Sequence, residues 1–345
     1  MNTTQEHVLE LFPRDIEAVT AEIGLPQFAG KQLLDWIYDK QVESVDVMTN
    51  IAKEKRTLLA QKLCFRRSAS IKTQIASDGT IKKLLAWDEG LKQTEVVMIP
   101  SKERRTACVS SQIGCPVGCT FCASGLEGLD GNLDVGQIIE QVISLGAKEI
   151  TNVVFMGMGE PLANYNAVTR AIRIINAPWG LGIGARKITI STVGLPTAIE
   201  RLATFDIPVT LALSLHAPND DLREELIPWA KFSPIKDIFK ACQKYFSATG
   251  REITLEYLLL RKVNDRVKEA KELAALCKTL RCNVNLIRYN EVPELQFKRP
   301  ENAQVKRFQE TLRNLGVNAH IRKSRGRDIS AACGQLKREH QLAIE

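Results

Sequence analysis

The stretch Cys115-Pro116-Val117-Gly118-Cys119-Thr120-Phe121-Cys122 places three thiols within eight residues. Thiolates are soft ligands, suited to zinc or to iron–sulfur clusters. A structural zinc ion is usually closed by four protein ligands, and no local fourth ligand accompanies this triplet. Three cysteines on one tight loop instead suit a four-iron cluster with one iron left free to bind something else. Two other readings stay open at this point: a zinc knuckle that borrows Cys108, and three cysteines that are simply buried.

Around the triplet the chain alternates. Strand character appears at 106–110, 152–155, 187–191, 209–214, 253–257, 284–287 and 318–321. Helical spacing falls between these runs, at 135–145, 163–175, 196–203, 235–249, 266–279 and 301–315. Strands alternating with helices of this length predict an α/β fold, a parallel sheet with helices outside. Chemistry in such sheets and barrels gathers at the C-terminal ends of the strands, and the cysteine loop follows the first of them. Upstream, the first ~70 residues read as a separate helical module, with apolar Leu33, Leu34, Trp36 and Ile37 at helical spacing and a basic helix over 53–63. Between module and barrel, Asp78-Gly79 is a turn signal between two runs of strand character, and the runs at 81–87 and 94–99 are then joined by a second turn at Asp88-Glu89-Gly90, which predicts a hairpin.

The 345 residues carry 47 Lys+Arg against 40 Asp+Glu, a net +7. This mild basic excess is compatible with a polyanionic partner without requiring one. Neither a signal peptide nor a membrane span is expected, since the N-terminus lacks a basic flank and no apolar run approaches ~20 residues. Nine cysteines in a chain without an export signal favour metal or redox chemistry over a disulfide framework, and the expected location is cytoplasmic.

Four further segments carry a resemblance. Cys108-Val-Ser-Ser-Gln-Ile-Gly-Cys115, Val154-Phe-Met-Gly-Met-Gly-Glu-Pro161, Ser214-Leu-His-Ala-Pro-Asn219 and Ala331-Ala-Cys-Gly-Gln-Leu336 resemble, in this order, the RlmN/Cfr family of radical S-adenosylmethionine enzymes, which methylate adenosine in RNA. The CxxxCxxC spacing and Phe121 fit the wider superfamily. The resemblance implies a partial (β/α)6 radical-SAM barrel with a small N-terminal helical domain. The corresponding boundaries are an accessory domain over 1–75 as a possible RNA contact, a β-hairpin linker over 76–105, the barrel over 106–336 and a tail over 337–345.

The same resemblance implies site residues. Cys115, Cys119 and Cys122 would hold a 4Fe-4S cluster. Gly159 and Glu160 would bind the methionine end of S-adenosylmethionine, with Ser191, Ser214, Leu215, His216 and Asn290 completing its site. From the residues alone, His216 reads better as a structural histidine. Cys333 would accept a methyl group from one S-adenosylmethionine, while a second is reductively cleaved at the cluster. Hydrogen is then removed from that methyl group, and the resulting methylene radical adds to an electron-poor adenine carbon. Cys108 would resolve the protein–RNA adduct through a disulfide with Cys333, and Glu95 would accept the proton. An electron donor such as flavodoxin and a monomeric state are expected. Cys64, Cys242, Cys277 and Cys282 read as structural.

Two branches of the family differ in target. One methylates carbon 2 of an adenosine in 23S rRNA and in tRNA; the other methylates carbon 8 of the ribosomal adenosine and confers antibiotic resistance. Pro161 and the run Ile321-Arg-Lys-Ser-Arg-Gly326 resemble the first, and Leu286-Ile-Arg-Tyr-Asn290 the second. Gly131 and Trp229-Ala230 depart from the usual family residues, which bears on RNA contacts. The expectation is carbon 2, with carbon 8 the alternative. Arg322, Lys323, Arg325 and Arg327, crowded near Cys333, are expected to neutralise phosphates. A zinc-stabilised RNA-binding protein without catalysis, or a thiol–disulfide oxidoreductase using Cys108 and Cys333, are the readings from other classes.

Overall fold

A computed structural model describes residues 5–87, 90, 92–126 and 128–337. The turn expected at Asp88-Glu89 and nearly all of the expected tail lie outside the described residues. The elements run β1 (Glu6–His7), α1 (Pro13–Glu22), α2 (Ala29–Leu34), α3 (Lys53–Lys62), β2 (Leu63–Cys64), β3 (Ala69–Ile75), β4 (Ile81–Trp87), β5 (Lys92–Pro100) and β6 (Arg105–Cys108). A small hairpin, β7 (Gln112–Gly114) with β8 (Leu129–Asn132), brackets the cysteine loop. Then come α4 (Val135–Ser144), β9 (Asn152–Phe155), α5 (Tyr165–Asn176), β10 (Ile188–Thr192), α6 (Pro196–Ala203), β11 (Thr210–Ser214) and α7 (Asp220–Leu226). The chain ends with α8 (Ile235–Thr249), β12 (Ile253–Leu259), α9 (Val267–Cys277), β13 (Cys282–Arg288), α10 (Asn302–Asn314) and β14 (Ala319–Arg322).

One sheet of ten strands carries the site, in the order β14-β13-β12-β11-β10-β9-β6-β5-β4-β3. From β6 through β9 to β14 every pairing is parallel, as the alternation predicted. The remaining three strands are antiparallel. The stretch read as a linker therefore extends the barrel sheet, and β3 is the strand run before the turn at Asp78-Gly79. The reason is visible in burial: Leu84, Leu85, Ala86 and Trp87 on β4 and Val96, Val97 and Met98 on β5 are all buried in the core, a tertiary packing that local periodicity does not report.

The helices are set by ordinary local chemistry. Asp134 caps α4, accepting from the Gln137 N–H at 2.7 Å, while the Gln137 side chain accepts from the Asp134 N–H at 3.0 Å. Behind the cap, Ile138, Ile139 and Val142 are fully buried against the sheet, each worth roughly 1.5–3 kcal/mol of burial. β12 is covered on both faces, with Ile253, Leu255, Tyr257 and Leu259 fully buried on one and Glu256 and Leu258 buried on the other, as a central parallel strand should be.

Candidate active site

Parallel strands all point their C-terminal ends one way, so the loops that follow them share one rim. Cys115, Cys119, Cys122, Gly157, Gly159, Glu160, Ser191, Ser214, His216 and Cys333 line one open cavity of about 880 Å³ there. Burial pushes the Cys115 thiol up to about 12 and raises Cys119 and Cys122 too, their neighbouring thiols adding to the effect. Three half-buried thiols facing one space are readily deprotonated by a metal that joins them. The three sulfurs do not all lie within 4.8 Å of one another, a wider spread than one zinc ion with Zn–S near ~2.3 Å requires. The donor set therefore fits a cluster of several metal ions better than a single one.

Opposite the thiols, the backbone is packed tight. A Cβ on Gly157 would stand 2.7 Å from Ser110 Oγ, and Gly159, at φ +97, would place one 2.6 Å from Gln112 Cβ. Glycine at both positions lets the loop lie against β6 and its continuation. Glu160 is buried; its Oε1 accepts from the Leu162 N–H at 2.9 Å and its Oε2 from the Val193 N–H at 2.7 Å. Burial lifts its carboxyl to about 7, so an ammonium group would be a strong partner for it. Ser191 and Ser214 touch, Oγ to Oγ 3.2 Å.

His216 holds an uncommon left-handed backbone, φ +58. Asn264 Nδ2 donates to its carbonyl at 2.8 Å, and the Leu258 N–H donates to its Nδ1 at 3.0 Å. Its ring meets Phe121 edge-on, centroids 5.1 Å apart. Burial depresses its pKa to about 3, so the imidazole is neutral, with Nδ1 already an acceptor. It is both structurally fixed and part of the cavity wall.

Cys333 and Arg322 also belong to a second cavity of about 610 Å³, which holds Cys108, Asn290, Lys323 and Arg325. Cys333 thus sits where the two spaces meet. It is placed there by a C-terminal segment pinned at several points. Asp328 accepts from the Ser77 N–H at 2.8 Å and Asp78 from the Gly326 N–H at 3.1 Å. The Ala123 N–H donates to the Gly334 carbonyl at 2.8 Å, and Ser124 Oγ to the Leu336 carbonyl at 2.5 Å. The hairpin and the cysteine loop therefore hold Cys333 between them. Burial pushes the Cys108 thiol up to about 12, with the Cys333 sulfur next in effect.

Several expectations change. Leu215 is fully buried, faces the barrel core and lines neither cavity. Asn290 lines the second cavity, not the first, and donates to the Cys333 carbonyl at 3.4 Å. Glu95 lines neither; its Oε1 pairs with Lys82 Nζ at 2.6 Å and its Oε2 accepts from the Lys337 N–H at 2.8 Å. Arg322, expected on phosphates, turns inward toward Glu256, Nη1 to Oε2 3.8 Å, and burial raises the Glu256 carboxyl. All nine cysteines are free, so the implied disulfide between Cys108 and Cys333 is not formed. Glu256 itself was missed: it lines the first cavity, and its signal was a lone carboxylate inside the apolar strand 253–259.

Comparison with known proteins agrees with this geometry. The Radical SAM superfamily model matches residues 109–274, and the Ribosomal RNA large subunit methyltransferase N-terminal domain matches residues 7–65. The chain is 43% identical over 337 residues to the "Probable dual-specificity RNA methyltransferase RlmN" of Alkaliphilus oremlandii, covering 96% of this chain and 98% of that protein. The protein of the same name from Thermosynechococcus vestitus is 45% identical over 332 residues, 95% of this chain and 97% of that one. A radical SAM methyltransferase from Sphaerobacter thermophilus superposes with a TM-score of 0.92 at 42% identity, covering 96% and 98% of the two chains. A ten-stranded sheet with a cysteine-lined cavity at its rim, matched along nearly its whole length by these relatives, places the chain in the RlmN family of radical SAM RNA methyltransferases.

Proposed function

We propose that this protein methylates carbon 2 of adenosine in 23S rRNA and in tRNA through a methyl group carried on Cys333, using two S-adenosylmethionine molecules per turnover. The observation that carries the reading is the position of Cys333 at the junction of the two cavities. One cavity has the donor set for a cluster and the methionine end of the cofactor; the other has Cys108 and a basic rim. The name shared by the relatives, dual-specificity RNA methyltransferase, supports two RNA classes as acceptors.

Cys115, Cys119 and Cys122 would hold the 4Fe-4S cluster, and Glu160 with Gly159, Ser191, Ser214 and His216 the cofactor. Once bound and reduced by an external one-electron donor such as flavodoxin, the cluster supplies the electron for reductive cleavage of S-adenosylmethionine. The chain's own contribution begins at Cys333. Its sulfur forms a bond to the methyl carbon as the sulfonium–carbon bond breaks, and the thiol proton leaves; a thiol is the side chain best suited to this. Cys333 would then present the methyl group between cofactor and RNA, where loss of a hydrogen atom to the radical made by reductive cleavage lets its carbon bond to the electron-poor adenine carbon, a bond that polar methyl transfer would not make. Cys108, which lines the second cavity with Cys333, would attack the Cys333 sulfur, so that the sulfur–carbon bond breaks and the carbon stays on the RNA. The unpaired electron returns to the donor, and the two cysteines leave as a disulfide that an external reductant reopens. Glu95 enters as the proton acceptor, with Lys82 moving aside first, and Asn290 orients the Cys333 backbone. By function we divide the chain at residues 75, 105 and 336.

Mass spectrometry of nucleosides from cells lacking this gene tests the reading: 2-methyladenosine is lost from rRNA and tRNA. Loss of 8-methyladenosine instead would transfer the chain to the other branch. Iron and labile sulfide in the anaerobically reconstituted protein, falling in the Cys119→Ala variant, test the cluster separately; stoichiometric zinc without iron would remove it. No helix among the described residues is long and apolar enough to cross a membrane.

A further inference from the structure

We propose that His7, Glu10 and Asp134 form a binding site for a divalent transition-metal ion at the seam between the N-terminal module and the barrel. One ligand atom from each of the three lies within 4.8 Å of the others. His7 ends β1, Glu10 follows it in the next turn, and Asp134 is the residue that caps α4. An ion here would tie the module to the barrel, and none of the three residues lines either cysteine cavity.

The independent observation is the histidine. His7 is 1% exposed, and neither ring nitrogen has a hydrogen-bond partner. Buried polar atoms are normally paired, so an imidazole orphaned at both nitrogens beside two carboxylates points to a missing partner. A neutral imidazole with a free ring nitrogen is a common metal ligand. Space is made for it: a Cβ on Gly136, in the first turn of α4, would stand 1.9 Å from His7 Nδ1.

The surroundings resemble the outer shell of a metal site. Glu140 Oε2 stands 3.4 Å from His7 Nε2, and the same carboxylate is fixed by the Ser68 N–H at 2.9 Å and the Arg67 N–H at 3.1 Å. A carboxylate held in this way orients a ligating imidazole. Glu10 and Asp134 face each other, and burial followed by the Asp134 charge raises the Glu10 carboxyl. One neutral imidazole with two carboxylates suits Mn²⁺, Zn²⁺ or Fe²⁺.

Arg67 is the internal rival. Its Nη1 lies 3.5 Å from Glu10 Oε1 and 3.2 Å from Asp134 Oδ2, long distances for charge-assisted hydrogen bonds. Its side chain is 35% exposed and can swing outward. Guanidinium and metal ion are thus alternative counter-charges for one pair of carboxylates. The rivalry sets a test that an ordinary structural ion pair does not pass.

The test uses the full-length, cluster-loaded protein with the cluster oxidised and EPR-silent, titrated with Mn²⁺ and read by the EPR signal of the free ion. One saturable site is expected. His7→Gln and Glu10→Gln each weaken it by about tenfold or more, and Arg67→Gln tightens it by a similar factor. Glu10 is only partly buried, so its variant keeps the proposal testable if the His7 variant does not fold. Absence of saturable binding, or a titration that none of the three substitutions moves, overturns the proposal. So does weaker binding in Arg67→Gln, which would make Arg67 the permanent partner of this cluster. The methylation reading stands or falls without it, because the readout is Mn²⁺ and not turnover.

Discussion

Cys108, at the end of β6, and Cys333, in the pinned C-terminal segment, line the same cavity. Of these two only Cys333 also lines the cavity of the cluster cysteines. The two thiols therefore differ in access: Cys333 opens to both cavities, Cys108 to the second alone, which is the difference the proposed roles of methyl carrier and resolving thiol require.

Replacing Cys108 with alanine should leave Cys333 able to take and deliver its carbon but unable to let go. Each enzyme molecule is then consumed in one event. Denaturing gels and intact-mass measurement should show a covalent protein–RNA product; free methylated RNA produced over many turnovers by Cys108→Ala would remove Cys108 from the mechanism.

Glu160→Gln keeps the size of the side chain and discards its charge. A hydrogen bond to a charged partner is worth ~1.5–3 kcal/mol, so S-adenosylmethionine affinity should fall roughly 10- to 100-fold. Equilibrium dialysis against the cluster-loaded protein measures this. Affinity within a factor of about two of the wild type would show that the carboxylate serves only the Leu162 and Val193 amides.

His216 gives a pH signature. Its pKa is lowered by burial from the ordinary 6.5 to about 3. Unfolded chains therefore bind a proton that the fold excludes between these values, and the histidine's contribution to stability is lost as pH falls below 6.5. The stability gap between wild type and His216→Asn should shrink on acidification, by at most about 1.4 kcal/mol per pH unit. Glu160, raised by burial, acts in the opposite direction but equally in both proteins, so it cancels. Denaturant titrations between pH 8 and pH 5 check this; a gap independent of pH would mean that the ring takes up its proton in the fold as readily as in the unfolded chain.

Arg325 lines the second cavity and pairs loosely with Asp78 at 3.8 Å. Charge reversal, Arg325→Glu, should weaken RNA binding and lower the salt slope by about one. Filter binding across a salt series reads both quantities. Arg322→Glu should behave differently, because that guanidinium faces Glu256 inside the protein; its loss disturbs the cavity wall more than the salt slope.

The sequence by itself determined the ligand loop, the alternation that makes a parallel sheet, and the family. Each depends on spacing over a few residues or on motifs in order, and those survive in one dimension. Tertiary structure decided membership of the cavities. The residues expected at the cofactor were drawn from strand ends, but Leu215 falls on the core side of its strand end and Asn290 opens to the neighbouring cavity, because neighbouring positions at a strand end turn to different sides. Arg322 and Lys323 are adjacent in a basic run, yet Arg322 is drawn inward by Glu256 on β12. That pairing depends on the register of β12, β13 and β14. Cys333 reaches the junction only because Asp78 and Ser77 before β4, and Ala123 and Ser124 in the cysteine loop, hold its segment from two sides. Such contacts join residues hundreds of positions apart, and no local pattern encodes them.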